Sequence, residues 1–131
     1  MPILPVPPGA PPPSFVAAVA EFNAGDYFTC HETLEELWLD ERSTFRRFYQ
    51  GFLQVGVGCH HLRRGNAAGA LSLLERGPQL LAPFAPAVWE FDVAALLAQA
   101  RQLLDCLQDE GLEPAQASLA RRPPQLVRHG H

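Results

Sequence analysis

A chain of 131 residues, 47% apolar and 18% charged, has the length and composition of one globular domain with a real core. Its formal charge is −4, and its ten basic residues are all arginines scattered as singles and pairs, which excludes the broad basic footprint that nucleic acid requires. No run approaches the ~20 apolar residues of a membrane span, and the start lacks the basic and apolar blocks of a signal peptide, so no membrane partner and a soluble cytoplasmic protein are expected.

Residues 2–13 hold seven of the thirteen prolines. Segment 1–13 is therefore expected as an extended, proline-rich arm, with a PxxP ligand for a partner domain as a secondary possibility. Ser14 caps a first helix through Phe22, closed by Gly25. Asp26 caps a second, about Tyr27 to Asp40. Ser43 and Thr44 open a third that ends near Arg64–Gly65. Asn66 caps a fourth through Glu75, stopped by Gly77–Pro78. The stretch LLAPFAPAV reads as a turn or loop, and a fifth helix runs from about Trp89 to Gln108, with Gly111 after it. No segment alternates like a strand. The class is all-α: a compact bundle of about five helices over 14–112, followed by a flexible tail over 113–131.

An internal echo supports this layout. FNAGDYFTCHETLEEL at 22–37 and LRRGNAAGALSLLERG at 62–77 align at an offset of forty, matching Gly25 with Gly65, Asp26 with Asn66, Leu34 with Leu74 and Glu35 with Glu75. Each copy is a helix end, a glycine turn, a capping Asx residue and a new helix. That is the logic of tetratricopeptide-like helical hairpins, here two copies packed as a closed bundle. The second copy has Leu71 where the first has His31, so the scaffold does not dictate a histidine there.

Unrolling the second helix at ~100° per residue places His31 and Glu35 in the middle of an aromatic stripe with Tyr27, Phe28, Leu34 and Trp38. Thr29, Thr33, Glu36 and Asp40 fall on the solvent side, and Glu32 lies on the flank. His31, Glu35 and Trp38 are thus expected to face inward. Buried polar groups of this kind need partners. On the third helix Gln50, Gln54 and His61 form a neutral polar stripe opposite Phe48, Phe52, Val55, Cys59 and Leu62. It is expected to meet the His31/Glu35 face in the core, with His60 peripheral. Gly51, Gly56 and Gly58 lower helix propensity and imply close approach of another helix. Cys30, Cys59 and Cys106, with no CxxC, read as small buried hydrophobes in a reducing compartment.

FNAGDYFTCHETLEELW followed by YQGFLQVGVGCHHLRRGN resembles the bacterial and archaeal family catalogued as domain of unknown function 309. Its members share an HExxExxW helix and a following QGxxQ…H…GN helix, and the similarity covers roughly residues 15 to 80. The resemblance implies a small all-helical bundle, and its motif falls on Asn23, Gly25, His31, Glu32, Glu35, Trp38, Gln50, Gly51, Gln54, His61 and Asn66. Cys30 stands where the family often has alanine. No reaction comes with the resemblance.

The expected function is a ligand- or protein-interaction module whose buried His/Glu/Gln cluster is chiefly structural, the partner being a protein or small molecule. The proline arm seated in the groove of a second copy would give a homodimer. The alternative is an acid–base enzyme of hydrolytic type with His31 and Glu35 as catalytic candidates and Glu32, Trp38, Gln50, Gln54 and His61 as binding residues. No cofactor is expected. A divalent metal (Zn, Mn or Fe) would draw on His31, Glu35 and His61, but HETLE is HExxE and lacks the second helical histidine of HExxH sites.

Overall fold

The computed structural model describes residues 6–129. The first part of the proline-rich arm (1–5) and the last two residues of the tail lie outside the described residues. From Val6 to Pro12 the chain is non-helical, and Val6 packs against the core.

Six helices follow: α1 (Pro13–Asn23), α2 (Tyr27–Asp40), α3 (Arg46–Arg63), α4 (Ala67–Leu81), α5 (Val93–Glu110) and α6 (Leu112–Arg121). Helix α1 starts one residue before the expected Ser14 cap, because Pro13 occupies its first position, where the missing N–H costs nothing. The two hairpins form as the echo requires. Gly25 and Gly65 adopt φ of 78° and 81°, the left-handed turn that glycine takes without strain. Asp26 then accepts from Thr29 N at 3.3 Å and Asn66 from Gly69 N at 3.0 Å, satisfying amides at the start of α2 and α4. At the start of α3, Ser43 Oγ accepts from Phe45 N at 3.2 Å.

Helix α3 is the central element. Phe48, Phe52, Val55, Cys59 and Leu62 are all buried on it. Phe15 of α1 and Phe52 have ring centroids 6.0 Å apart, and Phe22 and Phe52 are 5.0 Å apart edge to face, a favoured aromatic arrangement.

Three sequence expectations are corrected here. Helix α4 does not stop at Glu75 but runs through Gly77 and Pro78 to Leu81. Both residues are buried, Gly77 against Gly51 and Val55 of α3, and this packing overrides the local breaker signal. The fifth helix does not start at Trp89. Residues Ala87–Val88 (β1) and Phe91–Asp92 (β2) form a small antiparallel hairpin, with Trp89 and Glu90 at its turn at φ of 49° and 68°. The Trp89 ring sits 5.2 Å from Phe15 and 5.1 Å from Phe45, so aromatic packing holds a turn that lacks the usual glycine or asparagine.

The region expected as a flexible tail contributes α6, with Ala115 and Leu119 buried, and then a docked extended segment. Asn23 holds that segment reciprocally: its Nδ2 donates to Leu126 O at 3.0 Å, and Leu126 N donates to its Oδ1 at 2.8 Å. Gln99 Oε1 accepts from Gln125 N at 2.9 Å. Asn23 is a long-range clamp.

Candidate functional site

Helix α2 buries Tyr27, Cys30 and Leu34, a stripe turned away from the one centred on His31. His31 and Glu35 lie beyond its edge. Their Nε2 and Oε2 are 3.3 Å apart, and the side chains are 38% and 50% exposed. The inward-facing His31/Glu35 pair is therefore corrected to a half-exposed i, i+4 pair. Phe28, expected on the same inward side, is 61% exposed. The physical reason lies at Cys30: α2 meets α3 where its residues are small, and a Cβ at Gly56 would lie 4.0 Å from Cys30 Sγ. The smallest pair sets the line of helix contact, and Phe28 and Trp38 are left to its sides.

The two thiols on that line are inert by burial. Burial, then Glu21 and Asp26, pushes Cys30 up to about 12. Burial likewise pushes Cys59 up to about 12, with Tyr27 and Arg63 opposing it. Neither is a thiolate nucleophile at neutral pH.

Beside this line α2 and α3 leave a notch of about 200 Å³, lined by Glu35, Trp38, Gln50, Leu53 and Gln54. Four expected site residues therefore do converge, and His31 joins them through Glu35. Trp38 is half-buried with the Arg46 guanidinium over its ring, 5.0 Å from the centroid, a cation–π pairing. Gln54 is 8% exposed. Its Oε1 is fully enclosed and has no hydrogen-bond partner among the described residues. The expected satisfied network of His31, Glu35, Gln50, Gln54 and His61 is thus not the arrangement found; within this set, the His31–Glu35 pair is the contact made.

Two expected members lie elsewhere. Glu32 is exposed on the outer side of α2. His61 turns to the α3–α4 corner, where its Nδ1 accepts from Asn66 Nδ2 at 3.2 Å and its ring lies 2.9 Å from where a Cβ on Gly69 would sit. The candidate metal set His31, Glu35 and His61 is not brought together, because His61 already shapes that corner. Among the described residues no three His, Cys, Asp or Glu side chains are grouped to hold a metal.

His60, read as peripheral, is the histidine on the α2 side. Its Nδ1 is enclosed without a partner among the described residues. Burial, then Arg63, Arg64, His61 and His31, holds its pKa below the ordinary histidine value. The signal that could have found it was position: it lies 100° from His61, and that step carries it from the α4 side of the helix to the α2 side.

Residues 15–73 match the family described as Domain of unknown function (DUF309). The chain is 40% identical over 72 residues to the Uncharacterized protein YpuF of Bacillus subtilis (strain 168), covering 53% of this chain and 41% of that protein. It is 27% identical over 56 residues to an Uncharacterized protein of Aquifex aeolicus (strain VF5), covering 42% of this chain and 17% of that one. The chain thus spans less than half the length of the curated relatives it matches. No solved structure matches it. Among the described residues no helix is long and apolar enough to cross a membrane. The matched segment takes in α2 and α3, the helices that line the notch, and over it the chain is similar to that family.

Proposed function

We propose that this chain is a cytoplasmic interaction module that takes a ligand in the notch between α2 and α3, with Trp38 as its wall and Gln54 as its floor. Gln54 carries this reading. An enclosed amide oxygen without a partner costs about 1–3 kcal/mol, and a leucine or methionine in that position would avoid the cost. A polar residue kept at such expense at the base of a concave site fits a ligand toward which the Gln54 amide turns its oxygen to complete the missing hydrogen bond. The half-exposed Glu35, Gln50 and Trp38 around it add acceptors, an amide and an aromatic face.

The test is Gln54→Leu, which keeps the volume and removes the unpaired group. The variant is expected to melt a few degrees higher than the native chain and to lose the thermal shifts that a panel of common metabolites gives to the native chain. A lower melting point would show that Gln54 is satisfied within the fold and would remove the notch from consideration.

The His31–Glu35 pair on the rim favours a second reading, acid–base catalysis on the bound ligand. It predicts turnover that His31→Ala and Glu35→Gln abolish without moving the melting point. A divalent-metal version needs a further ligand in place of His61, and elemental analysis of the purified chain tests for one.

A further inference from the structure

Next to the notch, and sharing Trp38 and Gln50 with it, lies a cavity of about 420 Å³ whose walls carry Arg42, Arg46, Arg47 and Thr44. Arg46 stacks on Trp38, while Arg42 and Arg47 make no hydrogen bond or ion pair among the described residues. The nearby Glu41 is engaged elsewhere: its Oε2 accepts from Ser43 N at 3.2 Å and from Ser43 Oγ at 2.8 Å. Three guanidinium groups therefore gather at one corner of a chain whose formal charge is −4, with no carboxylate paired to them among the described residues.

The two cavities make a bipolar cleft. At one end are the Glu35 carboxylate and the carboxamides of Gln50 and the unpartnered Gln54; at the other are the arginines; Trp38 lies between. From Gln54 to Arg47 is seven residues, about 10 Å along the helix axis, comparable to the distance from the pairing edge of a purine base to its 5′ phosphate. Guanidinium forks suit phosphate oxygens, an indole suits a base face, and a carboxylate beside an amide suits the N–H donors of a base edge. Inorganic phosphate would fill the arginine end and leave Gln54 unpaired. An acidic peptide would bring carboxylates against Glu35.

We propose that the cleft binds a purine 5′-nucleotide, with the phosphate on Arg42, Arg46 and Arg47, the base against Trp38, and its hydrogen-bonding edge on Glu35 and Gln54. This rests on the notch being a ligand site and names the ligand class.

The experiment is calorimetric titration of the full chain with GMP, AMP, guanosine, adenosine and sodium phosphate at low salt. At least one nucleotide is expected to bind at least tenfold more tightly than its nucleoside and than phosphate, and to weaken as salt is raised. Arg42→Gln combined with Arg47→Gln should cut nucleotide affinity at least tenfold and leave nucleoside binding unchanged. Gln54→Leu should cut nucleotide and nucleoside binding and leave phosphate binding unchanged. All three sites tolerate folding checks by thermal melting before titration. Absence of nucleotide binding at millimolar concentration, equal affinity for nucleotide and phosphate, or binding of an acidic peptide or anionic vesicles in place of the nucleotide would each overturn the assignment. If neither nucleotide binds while Gln54→Leu still raises the melting point, the nucleotide is wrong and the notch stands; if Gln54→Leu lowers it, both fall.

Discussion

Helix α3 meets its two neighbours in opposite ways. Toward α4 it presents backbone: a Cβ at Gly51 would lie 2.9 Å from Leu81 Cγ and 3.0 Å from Gly77 O, and one at Gly77 would lie 2.8 Å from Val55 Cγ2. Toward α2 it presents Gln50, Leu53 and Gln54, and there the helices stand apart around a cavity. Glycines bring two helices into backbone contact and leave no volume for anything else. Long polar side chains hold helices apart and leave polar atoms unmet. One face of α3 is therefore a seal and the other a notch, and the residues that differ between them are within a few positions of each other.

The strongest way to break the comparison is to put bulk into the seal. Gly51→Val forces side-chain atoms into Leu81, Leu80 and the Gly77 carbonyl. Overpacking of this kind costs about 1–3 kcal/mol, and a branched residue against backbone belongs at the upper end. Denaturant unfolding should show the loss; a variant as stable as the native chain would mean that α3 and α4 are not in backbone contact.

Next in size is Asn23→Ala, expected to cost about 1–3 kcal/mol from two hydrogen bonds and an abandoned amide at Leu126. Limited proteolysis should then cut after α6 well before the rest of the chain opens. Equal protection in variant and native chain would discard the clamp.

Gly56→Ala sharpens the contrast by its sign. A Cβ there meets Phe22 Cδ1 at 3.8 Å and Cys30 Sγ at 4.0 Å, ordinary contact distances. With no clash, the gain in helix propensity of up to about 1 kcal/mol remains. Gly51→Val and Gly56→Ala, five residues apart on one helix, should move the unfolding midpoint in opposite directions.

What the sequence carried, and what it did not, divides along the same lines. The hairpins were legible because each is a local device: Gly25 with Asp26, and Gly65 with Asn66, act within a few residues of themselves. Gly51 and Gly58 of α3 announced a close helix, which proved to be α4, while Gly56 faces Phe22 and Cys30. The site residues were legible as a list, since Glu35, Trp38, Gln50 and Gln54 do converge. Their orientation was not, because a helical wheel weighted by aromatic bulk ignores that Cys30 and Gly56 decide where two helices touch. Three further features were set by distant partners. Helix α4 continues through Gly77 and Pro78 because Gly77 packs on α3, Trp89 turns a hairpin because Phe15 and Phe45 hold its ring, and the tail docks through Asn23 near the start of the chain.

The smallest expected effect concerns His60, which belongs to the open side of α3. Its ring is partly enclosed, Nδ1 is without a partner, and Arg63, Arg64, His61 and His31 add positive charge around it. All of these disfavour the imidazolium, so the folded chain takes up that proton at lower pH than the unfolded chain does. The unfolded state then binds more protons as pH falls through the ordinary histidine range near about 6.5, and stability declines there. The contribution is fully present above that range and is lost progressively below it. Other groups titrate in the same window, so the informative quantity is the difference between the native chain and His60→Gln. The melting point of the native chain relative to His60→Gln should be higher at pH 7.5 than at pH 5.5. A difference that stays flat across that interval would mean that His60 is solvated, and that α2 and α3 are held apart more widely than the notch requires.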